Sequence, residues 1–224
     1  MASHKVTLIV ITALCLGQGM VRAQESSVLS RPSGTPDMKT TTDGAIASLL
    51  NSARVPGGII SFYDRCQQPS PQRFFLQGVT LEQGLDSVAS IDSSRKWTYR
   101  DGVILVGIEI ENRTILSTAI PNVEINTNDA LSLSTQQLLQ SAEVRDRVKA
   151  MKLEEVNSEL GFSAVRRDGN ATEDLPTPAP KHLHQVTLEE ALTFLARTNG
   201  KAVWLYEQFE CGGKATFRIT WVVK

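Results

Sequence analysis

Leu81, Leu85 and Val88 recur at i, i+4 and i+7, and Leu188, Leu192 and Leu195 do the same. Each set draws one apolar stripe along a helix that must lie on something apolar. Thr80 with Gln83, and Thr187 with Glu190, stand at capping-box spacing just ahead of these stripes, so a helix is expected to start at each threonine. Behind each helix the apolar period shortens to that of a strand. Lys96 to Arg100 and Val103 to Gly107 flank Asp101-Gly102, a dipeptide that supplies positive φ at both centres of a tight hairpin turn. Ala202 to Phe209 and Ala215 to Val223 repeat the plan around Cys211-Gly212-Gly213. In the last strand Phe217, Ile219, Trp221 and Val223 alternate with Thr216, Arg218 and Thr220, so one face is core.

Ahead of each capped helix the sequence predicts two extended pieces with a proline-rich loop between them. They are Gly58 to Tyr63 and Arg73 to Gly78, then Phe162 to Arg166 and Lys181 to Gln185. Further upstream, helices are expected near Asp43 to Arg54 and Ser134 to Leu160, the latter with Val144, Val148 and Met151 on a stripe. This order is no accident of composition. Sliding the chain against itself by 107 residues aligns Val79-Thr80-Leu81-Glu82 with Val186-Thr187-Leu188-Glu189 and Trp97-x-Tyr99 with Trp204-x-Tyr206. Eleven of the 31 positions from 69 to 99 are identical, where average usage would give about two. A duplicated module is the economical explanation. The expected fold class is α+β: two tandem small modules, each running helix, strand, strand, helix, strand, strand, over residues 41–107 and 129–224. Residues 108–128 connect them, with Ile120 to Ile125 as an extra strand, and the Ser, Thr and Pro content of residues 24–40 predicts disorder there. Gly84 stands where the second copy has Ala191 and costs its helix about 1 kcal/mol; close packing is the expected reason.

The first 23 residues read as an export signal: a basic start to Lys5, an uncharged apolar run from Val6 to Gly17, and Val21-Arg22-Ala23 before the cut. The run is too short to span a bilayer, and no other stretch is long enough. Removal leaves 201 residues, a net charge of −3, and two cysteines, Cys66 and Cys211. In an oxidising compartment the pair invites a disulfide that closes a span of 145 residues and contributes about 5 kcal/mol in the chain-entropy model; two unpaired thiols are the alternative. With 23 Lys and Arg against 24 Asp and Glu in the whole chain, and no basic tail, nucleic acid is excluded as a partner.

The succession of a strand, Val-Thr-Leu-Glu-x-x-Leu opening a helix, and a hairpin such as Trp97-Thr-Tyr-Arg-Asp-Gly-Val-Ile-Leu-Val106 resembles the STN domain, the short N-terminal domain of secretins and TonB-dependent transducers. The resemblance covers most of both copies and implies a small α/β periplasmic protein-interaction module without catalytic residues. The chain departs from those families in ending at Lys224 with no pore or barrel behind it.

Candidate chemistry is sparse. His182 and His184 share a face of an extended piece and offer two metal ligands, but a third would have to come from an acid or Cys211, and the expected reading is a solvated strand face with no metal and no cofactor. Glu82, Glu189 and Glu190 occupy first helical turns, where the macrodipole accounts for them, and no His stands ready to serve a nucleophile, so no catalytic residue is named. The two Trp-x-Tyr pairs suit core packing or an aromatic platform. Trp97 and Tyr99 alternate with polar Thr98 and Arg100. Trp204 and Tyr206 alternate instead with Val203 and Leu205, so that strand needs cover on both faces, from the other module, a second copy or a partner. Asn112-Arg-Thr114 and Asn170-Ala-Thr172 match the glycosylation rule and carry no meaning in a bacterial source. The expectation is an exported, non-enzymatic interaction or scaffolding protein of the cell envelope, periplasmic or secreted. Its partner is an envelope protein or a second copy. The alternative is a carrier or sensor that holds a glycan or small molecule between the modules.

Overall fold

The structure, a computed structural model, describes residues 27–63, 69–91, 95–108, 114–126, 129–156 and 181–223. In chain order the first half runs β1 (Met38–Thr40), α1 (Thr42–Ala53), β2 (Gly57–Tyr63), β3 (Gln72–Phe74), α2 (Leu81–Ala89), β4 (Arg95–Arg100) and β5 (Val103–Ile108). The second runs β6 (Ala119–Ile125), α3 (Leu131–Leu139), α4 (Ala142–Ala150), β7 (Leu153–Glu155), β8 (Lys181–Thr187), α5 (Leu188–Asn199), β9 (Val203–Cys211) and β10 (Lys214–Val222). This is an α+β fold, and the order strand, helix, strand, strand, helix, strand, strand occurs in both halves once α3 and α4 are taken together.

The expected capping boxes set the helix starts. Thr80 Oγ1 accepts from the amide of Gln83 while Gln83 Oε1 accepts from the amide of Thr80, and Thr187 with Glu190 closes the same pair of bonds. Two further first-turn amides of α5 go to the connector: Leu188 N–H donates to Thr118 O and Glu189 N–H to Leu116 O, both at 3.0 Å. The Asp101-Gly102 hairpin takes positive φ at both centres, 53° and 82°, as its sequence predicts.

The halves do not form separate sheets. Six strands lie in one sheet of order β4-β5-β2-β9-β10-β7, joined at a parallel seam in which Gly57 to Tyr63 run beside Val203 to Phe209. Each half contributes its hairpin followed by one strand parallel to the hairpin's second member, β2 on β5 and β7 on β10. The second set runs in the reverse direction, so its helices fall on the opposite face. One core lies between α1, α2 and the first face, with Ile46, Leu49, Leu50, Leu81, Leu85 and Ile104 almost wholly buried. The other lies between α3, α4, α5 and the second face, with Leu138, Val144, Leu188, Leu192, Trp204 and Tyr206. Two antiparallel ribbons, β1 with β3 and β6 with β8, stand outside the sheet at equivalent places in the two halves.

Four expectations need correction. Residues 24–40 are not disordered over their described part: Val28 joins the first core, Ser33 and Thr35 are buried, Met38–Thr40 forms β1, and Asp37 Oδ1 accepts from the amides of Leu76 and Gln77. Ser and Thr composition hides this, because the segment is held through backbone and capping bonds more than by apolar side chains. The helix expected over Ser134 to Leu160 breaks at Gln140-Ser141 and ends at Ala150, and Lys152 at φ 53° turns the chain into β7. The break lets Leu138 of α3 and Val144 of α4 both reach the second core. β3 is three residues long and stops at Phe74, short of the strand expected from Arg73 to Gly78. The modules, last, share one sheet where two tandem bodies are expected. Phe162 to Arg166 lies outside the described residues, and β7 takes the place beside β10 that β2 takes beside β5.

Gly84 is explained by the helix pair. A Cβ there would sit 2.7 Å from Leu49 Cδ2 of α1, so the glycine lets α1 and α2 approach closely.

Candidate functional site

The junction between the halves is built from alternation on β9. Val203 and Leu205 face the first core, and Val203 is wholly buried there; Trp204 and Tyr206 face the second and are wholly buried too. The face expected to need cover is thus covered by the other half of the same chain, and Val203 is not an exposed interaction surface. Across the seam Trp204 is paired with Gly58, and its indole lies over that glycine. Trp97 and Tyr99 pack at the edge of the first core beneath α2, and Trp97 Nε1 donates to Asp86 Oδ1 at 2.8 Å. Neither aromatic pair forms an open platform.

At the end of the seam the same alternation brings a charged group inside. Arg95 precedes Trp97 and Tyr99 on one face of β4, and its guanidinium meets Asp43 of the first turn of α1 at 2.6 Å, both side chains 4% exposed. Arg95 also donates to Ser61 Oγ at 3.1 Å, and the Tyr63 hydroxyl donates to the second oxygen of Asp43. Burial, reinforced by the Asp43 charge, pushes the Tyr63 phenol well above its ordinary range. Tyr63 stacks on Phe209 across the seam at 5.0 Å, and Arg218 lies over the Phe209 ring while pairing with Glu207 at 2.9 Å. Cross-strand register explains the stack and the ion pair, since Tyr63 faces Phe209 and Glu207 faces Arg218. Sequence reasoning missed this cluster, since the strand expected over Lys96 to Arg100 leaves out Arg95, whose place on the inward phase of β4 is the one signal that could have found it. Asp43 is neutralised by Arg95 within the first half and Glu207 by Arg218 within the second, and the Tyr63–Phe209 stack joins the two across the seam.

Cys211 closes β9 two residues past Phe209 and is disulfide-bonded. Cys66, its expected partner, lies outside the described residues. β2 runs parallel to β9 as far as Tyr63, opposite Phe209, so the chain leaves β2 at the sheet end where Cys211 stands. Asn112 and Asn170 of the two sequons lie outside the described residues as well.

His182 and His184 both lie on β8, exposed, opposite Glu124 and Asn122 of β6. A shallow groove of about 460 Å³ runs between α4 and the loop before β6, lined by Ser117, Thr118, Glu143, Asp146, Arg147 and Ala150. It had no signal in the sequence, because its walls come from separate elements whose residues are ordinary surface types.

Glu189, in the first turn of α5, is raised above the ordinary glutamate range by burial and then by the neighbouring Glu190. The folded state therefore holds this proton more tightly than the unfolded chain, so its contribution is full on the acid side of the ordinary range and is lost as pH rises. Glu189→Gln is expected to raise the melting temperature at neutral pH, with the gain shrinking on acidification; melts across that range check it.

Comparison with protein-family models, with curated proteins and with solved structures finds no match.

Proposed function

We propose that the chain is an exported, non-enzymatic component of the cell envelope that acts as a rigid interaction or scaffolding unit. The observation that carries this reading is the seam. The same order of elements occurs twice, and the two occurrences are joined in one sheet, which gives a stiff body with a ribbon outside the sheet at equivalent places in each half. Export is supported by the signal-like residues 1–23 and by a disulfide at Cys211. No helix among the described residues is long and apolar enough to cross a membrane. The rival carrier reading places a ligand between the halves, and that place is filled by Val203, Trp204 and Leu205 against both cores.

The test is capture from an envelope extract with residues 24–224 as bait, followed by cross-linking and identification. A defined envelope protein, or a second copy, cross-linked at the β1–β3 or β6–β8 ribbon is the expected result. Recovery of a monomeric bait alone would overturn the proposal. Pairing of Cys66 with Cys211 predicts a single disulfide-linked peptide containing both in a non-reducing digest; two alkylated thiols in the native protein would exclude it.

A further inference from the structure

The exposed face of the β6–β8 ribbon carries four side chains in two cross-strand pairs, Asn122 opposite His184 and Glu124 opposite His182. The histidines are two apart on one strand, so both rings project from the same face about 7 Å apart at their roots. Nδ1 of His184 lies 2.6 Å from Oδ1 of Asn122. That oxygen carries no proton, so the imidazole hydrogen sits on Nδ1 and the lone pair is left on Nε2. Nδ1 of His182 faces Glu124 Oε2 at 3.9 Å, and both side chains are about 60% exposed. His184, whose inner nitrogen donates to a carbonyl oxygen with the outer nitrogen open, has the arrangement that metal-ligating histidines adopt.

We propose that His182 and His184 form a two-nitrogen site for a late divalent transition metal, Cu2+ bound most tightly and Zn2+ less so. The rings supply Nε2 to the ion, Asn122 fixes the His184 ring through its inner nitrogen, Glu124 adds a negative charge 3.9 Å from His182, and the remaining positions are left to water or to a group from a bound partner. Imidazole nitrogens suit these ions, and Cu2+ leads the affinity order for nitrogen sites. A bound ion requires both Nε2 atoms at ~2.0–2.1 Å, and His182, about 60% exposed and without a hydrogen bond at its inner nitrogen among the described residues, is the ring that turns toward it. Among the described residues no three His, Cys, Asp or Glu side chains gather around one point, which makes the site two-liganded and its affinity micromolar in order.

The test uses untagged residues 24–224 titrated calorimetrically with Cu2+ and, separately, Zn2+. One ion per chain is expected, with Cu2+ the tighter. His182→Gln and His184→Gln should each weaken Cu2+ at least tenfold, Asn122→Ala should weaken it by less, and none should shift the melting temperature of the metal-free protein, since all three positions are exposed. Absence of binding at micromolar Cu2+ would overturn the proposal. So would binding that survives either histidine substitution, which would put the ion elsewhere on the chain.

Discussion

Gly58→Ala is expected to destabilise the protein by about 3 kcal/mol or more, at the upper end of what overpacking costs, and to lower the melting temperature by many degrees. A Cβ at this position would lie 2.2 Å from Trp204 Cζ2 and 2.3 Å from Cε2. Neither atom is the free end of a flexible chain. The indole is wholly buried and held within the second core, so the strand or the ring must move. The Trp204 N–H is buried without an acceptor among the described residues, so the ring sits there for its shape and not for its hydrogen bond. The pairing supplies its own control. With Trp204→Leu in place the clash is gone, and adding Gly58→Ala should then cost far less than it does alone. Denaturant melts of the four proteins in this cycle measure the coupling; additive losses would show that the glycine is needed for something other than the ring.

The second large effect is expected at Arg95. Arg95→Leu removes the cation beside a carboxylate whose side chain is 4% exposed, and an uncompensated buried charge costs about 3–5 kcal/mol. Replacing both members, Arg95→Leu with Asp43→Asn, should recover much of that loss, because it is the orphaned charge and not the missing attraction that does the damage. Chemical denaturation of the wild type, both singles and the double decides it. A double variant no more stable than Arg95→Leu alone would mean that Asp43 is held chiefly by Tyr63, which also bonds it.

What could be read from the chain was whatever short-range chemistry writes down. Thr80 and Thr187 cap where their spacing says, Asp101-Gly102 turns as its φ values require, and Phe217, Ile219 and Trp221 alternate onto one face. The long-range pairing of β2 with β9 left a single trace, the doubly apolar run Val203 to Tyr206. That trace showed that cover was needed without showing what supplied it. β7 was invisible because three residues, Leu153 to Glu155, carry no period, and their pairing is decided by β10. The break between α3 and α4 went unread because Ser141 bonds no amide with its side chain, so the turn has no cap chemistry to announce it. None of the buried charged group was legible, because the strand expected over Lys96 to Arg100 begins one residue after Arg95. Asp43, Tyr63, Glu207 and Arg218 come together from three strands and a helix, and no local pattern records such a meeting.

The reversal of strand direction between the halves has a geometric consequence. The second half is carried onto the first by a half-turn about an axis lying in the sheet together with a shift along it. Such an operation never closes; repeated, it would add half after half into an endless ribbon. The two copies differ at the positions that would have to repeat the seam. Where β9 presents Val203, Leu205 and Glu207 to the other half, β4 presents Lys96, Thr98 and Arg100, all exposed, and where β2 offers seven residues, β7 has three. Charged side chains and a shortened strand are how sheets keep their edges from pairing. The substitutions that make the halves unequal are therefore those that stop the count at two.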